Sequence, residues 1–173
     1  MNFKRLVGLQ EKMMENNVDL VIYGSCQNFQ YLTGLLIDWR HGIDLGSEAN
    51  NIFVPRTGEP ILTLAEDWAE QASKTWVKDV RILKRDENYG EFLKKVMFDL
   101  DLKKAKIGLG DHLWGTTIAE ISKIVKGVEF CKAEGFMRHL RMIKDEEEIE
   151  KLRNVAELTD KVMEATVPKI REG

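Results

Sequence analysis

Four consecutive apolar residues, Leu20-Val21-Ile22-Tyr23, closed by Gly24, constrain this chain more than any other stretch. A half-exposed strand alternates apolar with polar side chains, whereas a continuous run reads as a strand covered on both faces. A chain with such a strand needs elements on both sides of its sheet. The segments around the run have the spacing to supply them.

Phe3, Leu6, Val7, Gln10, Met13 and Met14 keep helical spacing, with Lys4, Arg5, Glu11 and Lys12 opposite, and Asn16-Asn17 is a plausible stop. Residues 28–32 read as short and turn-like, closed by Gly34, and 35–50 as a loop or irregular strand broken by Gly42 and Gly46. Ile52-Phe53-Val54 and Ile61-Leu62-Thr63-Leu64 form a β-hairpin, with Gly58 in the turn and Pro55 and Pro60 restricting its flanks. Residues 66–75 read as a short helix, and Val80-Arg81-Ile82-Leu83 as an alternating, half-exposed strand. Tyr89, Phe92, Leu93, Val96 and Leu100 mark an amphipathic helix. A strand at 106–109, a helix at 117–125 and a strand at 128–131 follow. Helices alternating with strands make the fold class α/β, and the hairpin makes the sheet mixed.

The end of the chain differs in character. Asp145 followed by Glu148 makes a capping box, and Glu146-Glu147-Glu148 suits the positive end of a helix dipole. Ile149, Leu152, Ala156, Thr159 and Met163 then share one face as far as Pro168.

Composition excludes several function classes. A net charge of −3 over 173 residues leaves no basic footprint for nucleic acid and no polybasic membrane patch. No apolar run approaches the roughly 18 residues that cross a bilayer, and residues 1–5 lead into an amphipathic pattern rather than a signal-peptide core. Cys26 and Cys131 read as reduced structural thiols of a cytoplasmic protein. Gly108 and Gly110 follow a strand, but Leu113 stands where a dinucleotide fingerprint has its third glycine. His41, His112 and His139 are dispersed without ligand spacing, so no residue here is assigned to metal binding or catalysis.

Two motifs carry a resemblance. Asn28-Phe29-Gln30-Tyr31-Leu32-Thr33-Gly34 is similar to the Asn-x-x-Tyr-Leu-Thr-Gly motif of the creatinase/prolidase/Xaa-Pro aminopeptidase family. The stretch from Met137 through Lys144-Asp145 to Arg153 resembles that family's junction between its two domains. Between them, Ile107-Gly108 resembles an Ile-Gly pair, followed by Asp111 one residue after the family's glutamate. The resemblance implies a three-layer amino-terminal domain over residues 1–136, a mixed β-sheet flanked by helices. It implies that 137–173 are the interdomain linker and first helix of a catalytic domain continuing past Gly173.

Further expectations rest on the resemblance alone. The family hydrolyses peptide bonds, commonly before proline, with two divalent metal ions (manganese, cobalt or zinc) held in the carboxy-terminal domain. Its amino-terminal domain supports a homodimer and overhangs an active site. The segment after the Tyr-Leu-Thr-Gly motif is the expected lip, and here it holds Trp39, Arg40 and His41. Arginine suits bidentate capture of a substrate carboxylate and an aromatic suits proline. The plainer reading is a tryptophan anchoring a loop beside two solvated charges. Two other functions share this architecture: a catalytically inactive peptide-binding module, and a creatinase-type amidinohydrolase.

Overall fold

The structure, a computed structural model, describes residues 2–37, 48–102 and 104–171. It divides into two compact units, 1–138 and 139–173. The first holds a six-stranded sheet in the order β4-β3-β2-β1-β5-β6. The strands are β1 (Leu20–Gly24), β2 (Asn51–Pro55), β3 (Ile61–Ala65), β4 (Asp79–Leu83), β5 (Lys106–Leu109) and β6 (Glu129–Lys132). β2 runs antiparallel to both neighbours, and every other pairing is parallel. The sheet is therefore mixed, and β2 is its one reversed strand, as the hairpin requires.

The apolar run becomes the central strand β1, buried at every position. Alternate side chains point to opposite faces, so β1 feeds two cores. Leu20 and Ile22 join Phe53 and Ile107 beneath α3 (Tyr89–Asp99) and α4 (Gly115–Ile124), whose Phe92, Leu93, Val96 and Ile121 close that side. Across the sheet, α1 (Asn2–Glu15) and α2 (Gln27–Thr33) pack on each other, on β1 and on β2, burying Leu6, Leu9, Met13, Phe29 and Leu32. The three layers follow.

Several sequence expectations are corrected. Residues 28–32 are helical, not turn-like: α2 is two turns long, too short for a periodic stripe to show. The segment 66–75 is helical but of 3-10 type, Glu66–Lys74. β4 does not alternate; all five residues are half-buried, as an edge strand with one neighbour can be. The buried stripe of α1 is Leu6, Leu9 and Met13, while Phe3, Val7 and Met14 are exposed. A short helix, α5 (Phe136–Met142), precedes α6 (Glu146–Thr166) and was not foreseen.

The second unit is described by itself. α6 opens with both bonds of the expected capping box: Glu148 N donates to Asp145 Oδ1 at 2.9 Å, and Asp145 N to Glu148 Oε2 at 3.0 Å.

Candidate functional site

Trp39, Arg40 and His41 lie within 38–47, outside the described residues. The residues bordering that segment are described, and they gather at one edge of the sheet. Five strands, all but β2, end at this edge, and β2 begins there. It is the carboxyl edge, where open α/β sheets bind ligands.

On the near side, the Asn-x-x-Tyr-Leu-Thr-Gly residues each have a physical task. Cys26 caps α2, its Sγ accepting from Phe29 N at 3.5 Å. The buried Asn28 donates Nδ2 to Asp111 Oδ2 at 2.6 Å. Phe29 and Leu32 fill the core. The Arg5 guanidinium stacks 3.7 Å over the Tyr31 ring and donates Nη1 to Tyr31 O at 2.7 Å. Thr33 Oγ1 donates to Phe29 O at 2.8 Å and accepts from Leu35 N at 3.1 Å. Gly34 ends the helix at φ 76°, the left-handed conformation that favours glycine. Thr75 Oγ1 and Trp76 Nε1 then hold Thr33 O and Leu32 O at 2.8 and 2.6 Å.

On the far side the fixed point is Glu48. Its carbonyl accepts from Tyr89 Oη at 2.8 Å and from Asn51 Nδ2 at 2.6 Å. With its proton on that carbonyl, the Tyr89 oxygen is left to accept from Thr117 Oγ1, 2.8 Å away. The Glu48 carboxylate accepts from Thr116 Oγ1 in the first turn of α4. That helix has Trp114 at its N-cap and no side-chain cap bond, so the carboxylate supplies charge the helix dipole favours. Three elements, β2, α3 and α4, thus converge on one residue. In the neighbouring turn Thr63 Oγ1 donates to Ala49 O, and Ala65 N donates to Asn50 Oδ1 at 2.8 Å.

The electrostatics favour hydrogen bonding over proton transfer. Burial pushes the Tyr89 phenol up to about 12; the Thr117 bond opposes this and the Glu48 charge adds to it. Burial also raises Tyr23, with smaller contributions from Asp111 and Cys26, so its hydroxyl stays a neutral donor to Ala133 O at 2.9 Å. Among the described residues no group of three or more His, Cys, Asp or Glu could hold a metal ion. The described residues therefore do not supply the ligand set of a two-ion site.

Asn28 and Asp111 were singled out in sequence by separate motifs, and the structure joins them. Glu48, Tyr89, Thr116 and Thr117 were not recognised as partners. Tyr89 showed only as a helix-face residue, and no local pattern links residue 48 to 89 or 116. Cys26 is a buried capping thiol. Gly108 and Gly110 are packing glycines, since a Cβ on Gly108 would meet Ala133 at 2.8 Å and one on Gly110 would meet the Tyr23 ring at 2.0 Å.

Known proteins resemble this chain in sequence and in fold. Residues 5–143 match the Creatinase/Prolidase N-terminal domain. An Xaa-Pro dipeptidase of Pyrococcus furiosus is 28% identical over 170 residues, which is 98% of this chain and 44% of that protein. The chain therefore spans less than half the length of the curated relatives it matches. A prolidase from Thermococcus sibiricus superposes with a TM-score of 0.82 at 19% identity, over 100% of this chain and 46% of that one. The Creatinase/Prolidase N-terminal domain of an X-Pro dipeptidase from Streptococcus pyogenes gives a TM-score of 0.64 at 20% identity, over 80% of this chain and 99% of that one. These likenesses establish the fold. Matched to that family over residues 5–143, most of its length, the chain belongs to the Creatinase/Prolidase N-terminal domain family.

Proposed function

We propose that this chain is the non-catalytic amino-terminal domain of a metal-dependent Xaa-Pro dipeptidase or aminopeptidase. The observation that carries the reading is the family match over 5–143, joined to Xaa-Pro dipeptidase relatives that align with nearly the whole chain. In this reading the hydrolytic chemistry belongs to two divalent ions, manganese, cobalt or zinc, held by a carboxy-terminal domain. The domain described here contributes to a homodimer and shapes access to the substrate. Trp39, Arg40 and His41 contact the proline-containing peptide, Arg40 taking its carboxylate. The residues pinned around Thr33 and Glu48 fix the two ends of the segment that carries them. No helix among the described residues is long and apolar enough to cross a membrane. With Cys26 and Cys131 both as thiols rather than a disulfide, the reading takes the protein to be cytoplasmic.

Arg40→Ala in the two-domain protein tests this. A charge-assisted contact to substrate is worth about 1.5–3 kcal/mol, so kcat/KM should fall about 10- to 150-fold. The unfolding midpoint should barely move. Unchanged kinetics on a proline dipeptide would remove Arg40 from the substrate site.

A further inference from the structure

Glu48 is held more firmly than its place in the chain requires. Its carbonyl accepts from Tyr89 Oη at 2.8 Å and from Asn51 Nδ2 at 2.6 Å, which uses both oxygen lone pairs. Thr117 Oγ1 stands 3.5 Å from the same carbonyl, and Thr116 Oγ1 donates to the carboxylate. Backbone and side chain of one turn residue are thus both fixed, from β2, α3 and α4.

The sheet does not need these bonds. β2 takes its register from β1 and β3, and Asn51, three positions after Glu48, is its first paired residue. α3 and α4 are seated by Phe92, Leu93, Val96 and Ile121 in the core. The Tyr89 ring packs against that core, while its hydroxyl reaches out of it to Glu48 O. What the bonds do fix is the chain just after the segment that carries Trp39, Arg40 and His41, since Glu48 lies seven positions beyond His41. The chain just before that segment is fixed likewise, where Thr75 Oγ1 and Trp76 Nε1 hold Thr33 O and Leu32 O. A contacting group has to be held within about 0.5 Å of its place, and a 1 Å error costs up to about 100-fold in rate.

We propose that Tyr89 is a positioning residue of the substrate site: its hydroxyl, through the Glu48 carbonyl, sets where Trp39, Arg40 and His41 meet the peptide. The inference rests on the reading above, in which those three residues contact substrate. The Thr116 hydroxyl serves the same end through the Glu48 carboxylate.

A mutant cycle in the two-domain protein tests it, with kinetics on a proline dipeptide. Tyr89→Phe keeps the ring and removes only the hydroxyl. It should lower kcat/KM about 10-fold, mostly by raising KM, since the contacts at stake bind substrate. The same substitution made together with Trp39→Ala, Arg40→Ala and His41→Ala should change kcat/KM less than about 2-fold, because nothing is left to position. A loss that came through a weakened fold would instead be the same in both backgrounds. Thr116→Val frees the Glu48 carboxylate without touching Tyr89 and should show the same dependence on background. Thr116→Ser, which keeps the hydroxyl, should recover most of that loss. If the triple alanine variant works like the wild type, the reading itself fails and this proposal with it. If the triple variant is impaired, unchanged kcat/KM in Tyr89→Phe, or an equal fold-loss in both backgrounds, overturns the proposal alone.

Discussion

Asn28 and Asp111 lie 83 residues apart and meet at 2.6 Å, joining α2 to the turn that follows β5. Asn28 is buried, and its amide is a donor aimed at a carboxylate. Hydrogen bonds to charged groups are worth about 1.5–3 kcal/mol, so Asn28→Ala should destabilise by that amount. Urea unfolding should show a lower midpoint at constant slope. A loss under about 0.5 kcal/mol would mean the bond is incidental. Tyr89 makes a separate prediction at high pH. Its phenol is held neutral by burial, up to about 12 against an ordinary 10.0. The stability this contributes is fully present below pH 10 and is lost as pH rises toward 12, because the unfolded chain ionises first. Alkaline unfolding of the wild type should therefore steepen over that window, and less so in Tyr89→Phe. Identical alkaline profiles would show that Tyr89 is not desolvated in the fold.

Elements are set here as much by close approach as by propensity. β1 and β5 run side by side, and just past the end of β5 Gly110 N donates to Ile22 O, within β1, at 2.8 Å. A Cβ on Gly110 would stand 2.0 Å from Tyr23 Cδ1, and that ring is wholly buried with its hydroxyl tied to Ala133 O. Gly110→Ala should therefore cost more than about 2 kcal/mol, whereas Gly115→Ala, which meets nothing within 4 Å, should be neutral or slightly stabilising. Thermal unfolding of the pair checks this, and two equal melting temperatures would contradict the packing argument. At the other end of the sheet Gln10 Nε2 donates to Pro55 O at 3.1 Å and Gly58 O at 2.9 Å, so α1 holds the hairpin turn. Asp19 receives Arg56 and Lys106 N there, joining β1, β2 and β5.

At the scale of the molecule, the sheet unit is a complete three-layer body with a core on each face of β1. Its described polar residues cap, clamp and position. The proposed function therefore expects this chain alone to hydrolyse nothing. Purified chain with a proline dipeptide and added manganese or cobalt should match the buffer control. Metal-dependent turnover at high purity would show that the chemistry resides in residues 1–173 after all.

The sequence by itself determined what short-range physics controls. The buried run of β1, the hairpin around Gly58, the stripe of α3 and the capping box at Asp145 each depend on residues within one or two turns of one another. Their patterns therefore survive in any context. Tertiary structure decided the rest. α2 is helical because Cys26, Asn28, Thr33 and Gly34 find caps and partners, although seven residues cannot show a helical period. The face that α1 buries was set by what lay beneath it, which drew in Leu9 and left Phe3 in water. The convergence of Tyr89, Thr116 and Thr117 on Glu48 spans 41 to 69 residues. Such pairings have no local periodicity to announce them, because they join the first turns of α3 and α4 to a turn before β2, segments far apart in sequence.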